Sequence, residues 1–413
     1  MSYPVRFAVA SDPHLYDPAL GTNGPAFAAY VAGDPKLLVW SEAIFDQFLT
    51  DLQALEPRPD FLLLSGDLTK DGERHNHRRM AQRLAWLEDA GIEVFVVPGN
   101  HDIDNPAAQR YTASGAEPVE GLDSSGFAAL YARFGYRQAL ARDQHSLSYV
   151  AEPVPGVRLL AIDSRIQTGP AQVDGQLAPA TLEWLLAQLR QARLEGAVVL
   201  AMMHHGLLEH FRGQAEFFPE FLVRDHAAVS AALAKEGLQA IFTGHFHAHD
   251  VIRRDWQDGF WLADVETGST VSWPFQYRLA DLDREAARLS LTTQQVTSPQ
   301  AGISPAAGNY LASSQSSLEK QLTKLVVDAM AEHTGLPVDR RAQLAPAVVA
   351  AVLAHYAGDE VPQLKTLRAA LKLAKQGRGS EVTIGRLLLS LWHDLPPVDR
   401  TLELHLVEGS YDF

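Results

Sequence analysis

From residue 5 to about residue 250 the chain alternates short apolar runs with amphipathic stretches of helical period, the rhythm of a layered α/β domain. The runs are VRFAVAS, DFLLLSGD, GIEVFVVPGNHD, VRLLAIDS, AVVLAMMHH and LQAIFTGHFH. Between them, Ile44, Phe45, Phe48, Leu49 and Leu52 fall on one helical stripe, as do Met80, Leu84 and Leu87, and again Leu182, Leu185, Leu186 and Leu189. FWLADVETGS, YRLADLD and RLSLTTQQV predict further strands. Residues 297–317 are rich in Ser, Ala, Gly and Pro without a sustained period, which predicts a linker between a first domain at 1–296 and a second at 318–413. The second domain shows four helical patterns, the first opened by Ser317 as N-cap, and is expected to be small, all-α and without chemistry of its own. Its apolar stripe of Leu318, Leu322, Leu325 and Val326 needs a partner, which makes the core, the cleft or a homodimer interface through these helices the candidates. Two irregular stretches, 15–40 and 103–145, are expected to shape a pocket.

Composition narrows the chemistry. With no cysteine among 413 residues, disulfides, thiolate metal sites and cysteine nucleophiles are excluded, and any metal must be held by nitrogen and oxygen. A net charge of -15 argues against a protein that coats nucleic acid. No apolar run approaches the roughly 20 residues that span a bilayer. The N-terminal stretch lacks the basic and apolar regions of an export signal, so the expected location is the cytoplasm.

The apolar runs share one feature: Asp, Asn or His follows each of five strands, in SDPH, SGD, PGNHD, MMHH and TGHFH. In open α/β sheets ligands bind beyond the carboxyl ends of the strands, so these residues converge. Asp12 and His14 are separated by one residue, as are His245 and His247; if strand geometry persists, each pair projects from one face and can share a metal. Gly66 and Gly99 permit close backbone approach beside Asp67 and Asn100. A strand-end Asp taken alone serves as well in a turn. Grouped carboxylates and imidazoles in a partly dry cleft, however, cost several kcal/mol per unpaired charge unless cations join them. The mixture of carboxylate, amide and imidazole suits Mn, Fe, Zn, Co or Ni better than Ca or Mg.

Asp12-Pro13-His14, Gly66-Asp67, Gly99-Asn100-His101-Asp102, His204 and Gly244-His245-Phe246-His247 stand in the order of the calcineurin-like metallophosphoesterase pattern, and the chain resembles that family over about residues 5 to 280. The wording around the fragments is most similar to bacterial cyclic-nucleotide phosphodiesterase-like members with an extra C-terminal helical domain. The resemblance implies a two-sheet β-sandwich core flanked by helices. It further implies two transition-metal ions (Mn, Fe or Zn), with Asp12, His14 and His247 on one, Asn100, His204 and His245 on the other, and Asp67 bridging both. His204 is then the ligand of the His pair and His205 its neighbour. His101 is implied as a catalytic residue outside the metal shell, and Asp102, which follows it directly, is a candidate orienting partner.

Two such metals would ionise a shared water, and the resulting hydroxide would attack a phosphodiester. A cyclic nucleotide or small diester is the expected substrate, with phosphomonoesterase and nuclease as alternatives on the same site; a scaffold without catalysis is disfavoured because all eight positions keep competent residue types. His75 and His77, in GERHNHRRM, read as a solvated helix face. His249 and Asp250 are candidates for fixing a ligand tautomer, and Asp163 reads as structural or as a support behind a ligand.

Overall fold

The central strands of this chain are apolar along their whole length, which suits strands covered on both faces. The computed structural model describes residues 4–34, 36–167, 172–297, 310–358 and 360–406. One sheet has six strands in the order Thr401–His405, Arg288–Gln295, Gln276–Asp283, Val5–Ala10, Phe61–Leu64 and Glu93–Val96, the last three parallel. The other has seven, in the order Val251–Asp255, Trp261–Glu266, Ala240–Thr243, Val198–Met203, Val157–Ile162, Tyr149–Ala151 and Ala141–Arg142. The sheets meet through aromatic side chains: Phe7 stacks on Phe61 at 4.8 Å and meets the edge of Phe242, from the opposite sheet, at 5.6 Å.

Helices cover the outer faces. Ser41–Ala54 buries Ile44, Phe45, Phe48, Leu49 and Leu52 completely, and Arg74–Asp89 does the same with Met80, Leu84 and Leu87. Each such side chain contributes roughly 1.5–3 kcal/mol over its exposed state. Leu185 and Leu189 of Pro179–Leu194 pack on the second sheet with Leu233 of His226–Lys235. The core is therefore a two-sheet β-sandwich flanked by helices. The two irregular stretches pack on one another, with Tyr16, Phe27 and Leu38 from the first joined to Tyr111 from the second.

The C-terminal part differs from expectation at both ends. Residues 298–309 of the expected linker lie outside the described residues, but 310–317 are helical: the first helix is Tyr310–His333, so Ser317 is an interior residue and no N-cap. Val338–Ala357, Leu364–Gln376 and Ser380–Leu391 follow. The chain then returns as Thr401–His405, which pairs antiparallel with Arg288–Gln295 and buries Leu402 and Leu404 on alternate positions. These residues thus extend the first sheet, because a period of two with apolar Leu on one face fits an edge strand. The stripe of Leu318 and Leu322 is buried within the chain against Val348, Val349 and Leu388.

Candidate active site

The parallel strands Val5–Ala10, Phe61–Leu64 and Glu93–Val96 of one sheet, and Val198–Met203 and Ala240–Thr243 of the other, end at one place. There the chain stops being extended. Asp12, His14, Asp67, His245 and His247 all have positive φ, between 38° and 76°. Side chains in this left-handed region cost on the order of 1–3 kcal/mol each. The pairs Asp12/His14 and His245/His247 consequently share their neighbourhoods through tight turns, and the strand alternation expected for them does not apply. Backbone bonds stitch the turns together, with Asp12 N–H donating to Gly66 O at 3.2 Å and His14 N–H to Asp67 O at 3.0 Å. Glycine is required at two approaches. A Cβ at Gly99 would stand 2.1 Å from Asp67 Oδ1, and one at Gly244 would stand 2.5 Å from Asp12 Oδ2.

The seven sequence-predicted ligand positions come together. His247 Nε2 lies 3.3 Å from Asp12 Oδ1 and 3.2 Å from His14 Nε2. Asp67 Oδ2 lies 3.6 Å from His14 Nε2 and 3.3 Å from His204 Nε2. Asn100 Oδ1 is 3.0 Å from His204 Nε2, and the His245 ring completes a group with Asp67 and His204 whose ligand atoms lie within 4.8 Å of one another. His204 donates from Nδ1 to Ser65 O at 2.8 Å, which aims Nε2 at the cluster. His205 turns away, donating from Nε2 to Val173 O at 2.9 Å and pairing Nδ1 with Ser164 Oγ at 2.8 Å.

The electrostatics suit cations. Burial alone would raise the Asp67 and Asp12 carboxyls, but the facing imidazoles hold both well below the usual range. Burial, helped by Lys36, lowers His14 to about 4, and burial with His205 and His204 holds His245 well below its usual value. Asp12 Oδ1 is buried without a hydrogen-bond partner. Burial would lower the His204 ring, but Asp67 raises it to about 9, so that ring carries the charge that faces the carboxylate here. Ionised carboxylates, the lowered rings of His14 and His245 and an orphaned oxygen form a nitrogen and oxygen donor set that divalent transition metals fit.

His101 borders this cluster with its side chain 26% exposed and Nε2 4.0 Å from Asp67 Oδ2. Its orienting partner is Asp71, whose Oδ1 lies 2.8 Å from His101 Nδ1, and not Asp102. The Asp102 carboxylate is occupied in accepting from the backbone N–H groups of Leu68, Thr69 and Gly99 at 2.8–3.0 Å, where it braces two turns. Burial would lower the His101 ring, yet Asp67 and Asp71 raise it above its ordinary value.

Among the outlying histidines, His75 is half-exposed and meets Asp17 Oδ2 at 2.7 Å. His77 is fully buried, contrary to a solvated face, with Nδ1 2.8 Å from Tyr131 Oη and Nε2 donating to Asp102 O at 2.8 Å. His249 contacts Thr293 Oγ1 at 2.8 Å. Asp250 meets His210 Nδ1 at 2.7 Å and His355 Nδ1 at 3.4 Å, in a buried ionic cluster that also holds Glu360. These partners, Thr293, His210 and His355, lie outside the predicted ligand set. Asp163 pairs with Arg165 at 2.9 Å, Arg110 pairs with Glu117, and Tyr149 donates to Val96 O at 3.0 Å, all structural contacts.

One residue of the site escaped sequence reasoning, and one placement was left open by it. Lys36, from the first irregular stretch, is 6% exposed and places Nζ 3.4 Å from both ring nitrogens of His14 and 3.2 Å from Asp34 Oδ2. The C-terminal helices, for which the cleft was one of three candidate partners, roof the site. A cavity of about 670 Å³ has His14, Lys36, Asp67, Asn100, His101, His245 and His247 in its floor. Its walls include Phe217, Phe218, Phe221 and Phe246 from the core, and Leu325, Val326, Val352 and Leu387 from three of the C-terminal helices, with Tyr356 and Thr383 among the few polar side chains.

Among the described residues no helix is long and apolar enough to cross a membrane. A glycerophosphodiester phosphodiesterase of Enterobacter lignolyticus is 29% identical over 199 residues, which cover 48% of this chain and 60% of that protein. A probable cyclic nucleotide phosphodiesterase of a Synechococcus strain is 27% identical over 197 residues, covering 45% of this chain and 60% of its own length. The chain therefore spans less than two thirds of these relatives. A dimetal phosphatase from Danio rerio has a similar solved structure, with a TM-score of 0.44, 14% identity, and coverage of 71% of this chain and 97% of that one. The family described as calcineurin-like phosphoesterase matches residues 5–249, the stretch that supplies every strand-end residue of the site, and the chain belongs to that family.

Proposed function

We propose that the chain hydrolyses a phosphodiester in the cytoplasm with two divalent transition-metal ions, Mn, Fe or Zn. The observation that carries this reading is the position of Asp67, whose Oδ2 faces His14 on one side and His204 on the other. Asp12, His14 and His247 would hold one ion, Asn100, His204 and His245 the other, with Asp67 between them. Bound there, the ions would lower the pKa of water and offset charge on a phosphoryl group. His101, held by Asp71, delivers a proton to the departing alkoxide. The Lys36 ammonium meets a non-bridging phosphoryl oxygen, so local positive charge outweighs the acidic whole. The relatives named as phosphodiesterases support a diester over a monoester, and cyclic nucleotides and small diesters are the first substrates to assay.

The test pairs methyl 4-nitrophenyl phosphate with 4-nitrophenyl phosphate on protein reconstituted with Mn, Fe or Zn. Two ions per chain and faster turnover of the diester are expected. Hydrolysis by metal-free protein would sink the mechanism, and a faster monoester would move the reading to a phosphomonoesterase.

A further inference from the structure

The cavity over the site has a divided character. Its floor is ionic and its roof is apolar: Leu325 and Val326 come from Tyr310–His333, Val352 from Val338–Ala357 and Leu387 from Ser380–Leu391. These four side chains are only half-buried, although their helices bury Leu322, Val348 and Leu388 in the same apolar cluster. Apolar surface left facing a cavity beside charged groups marks a place for an apolar ligand group. A nucleobase or a free glycerol would need hydrogen-bond partners in the roof. Four polar side chains line the roof, His333, Thr334, Tyr356 and Thr383, against nine apolar ones, and the Thr334 hydroxyl is taken by Met330 O at 2.5 Å and by the Leu336 N–H at 3.3 Å. At about 670 Å³ the space exceeds what a phosphoryl group fills and lies within the range that encloses a drug-sized molecule, about 300–1,000 Å³.

We infer that the roof is a subsite for an alkyl chain, so that the preferred substrate is a single-chain alkyl phosphodiester, its phosphoryl group on the ionic floor and its chain under the helices. The inference rests on the phosphodiesterase reading and deepens it. Burying one methylene corresponds to about a fourfold gain, so kcat/KM should rise by about that factor per carbon until the cavity fills.

The experiment uses the metal-loaded full chain with methyl, butyl and octyl 4-nitrophenyl phosphodiesters, which share a leaving group, and calorimetry with methyl- and octylphosphonate. A steep rise in kcat/KM from methyl to octyl is expected, with octylphosphonate binding at a more negative heat-capacity change than methylphosphonate. Leu325→Asn should collapse the octyl-to-methyl ratio, and Val352→Asn, on a different helix, should do so independently. Equal kcat/KM and equal binding across chain lengths would overturn the inference, as would a cyclic nucleotide outcompeting the octyl diester. If no diester is turned over yet octylphosphonate binds in a Leu325-dependent way, the subsite stands and the catalytic reading falls.

Discussion

The floor and the roof of the cavity are built on opposite terms. The floor is made of residues between positions 12 and 247, five of which, Asp12, His14, Asp67, His245 and His247, are fixed by turns with positive φ, with glycines leaving room for the two carboxylates. The roof is made of ordinary apolar helix residues, in which Leu, Val and Ile are exchangeable within about 1.5 kcal/mol when volume is kept. The difference teaches that the floor's geometry is set residue by residue through its backbone, whereas the roof is a surface that single side chains can retune.

Three changes test that division. The largest effect is expected for Asp67→Ala, which removes the carboxylate facing both halves of the floor: turnover should fall by at least about 10³-fold, with loss of bound metal by elemental analysis. Retention of both would show that the two halves do not act as one site. Next comes His101→Asn, at the boundary between floor and cavity. It should lower kcat by about 10²-fold or more with metal content unchanged, and loss of the metal instead would place His101 among the ligands. The smallest concerns how roof and floor are joined. His355, on a roof helix, faces Asp250 and Glu266 of the core and Glu360 beside it. Burial would lower its pKa, but Glu360 and Asp250 raise it to about 9. A raised folded-state pKa stabilises fully below the unfolded value near 6.5 and is lost as pH climbs through about 9. Burial also raises Glu360, so the pair gives up part of its attraction to desolvation and the net effect is about 1–2 kcal/mol. Thermal melts should therefore lose stability between pH 7 and 10, and His355→Gln should flatten that slope; an unaltered slope would assign the pH dependence to other groups.

Much of the floor was legible because its signals are local. Asp, Asn and His directly after an apolar run say where they lie, since a strand end in an α/β sheet has one destination. The reason given for Asp12 and His14 was wrong, because the turn, and not strand alternation, brings them together. Asp71 was passed over for Asp102 because adjacency in sequence suggested a partner that folding commits to backbone N–H groups. His77 was misjudged since its polar surroundings in sequence hide Tyr131 and Phe127, which reach it from the second irregular stretch at 5.6–5.7 Å between ring centres. Lys36 had no periodic context at all. The helices of the roof could be read, but their docking could not, because an apolar stripe specifies that it must be buried and not against what. Leu402 and Leu404 carried a strand signal too short to stand out beside four helices.

That last strand changes how the roof should be understood. Arg288–Gln295 and Thr401–His405 are antiparallel neighbours, so the roof is, in connectivity, one oversized hairpin loop of about a hundred residues whose two feet stand side by side on the same sheet edge. Closing such a loop costs little more than closing a shorter one, because the penalty grows only with the logarithm of length. Whole helices can accordingly be gained or lost between those feet while the strands beneath keep their register, which makes the cover over the cavity an exchangeable cassette on a fixed chassis.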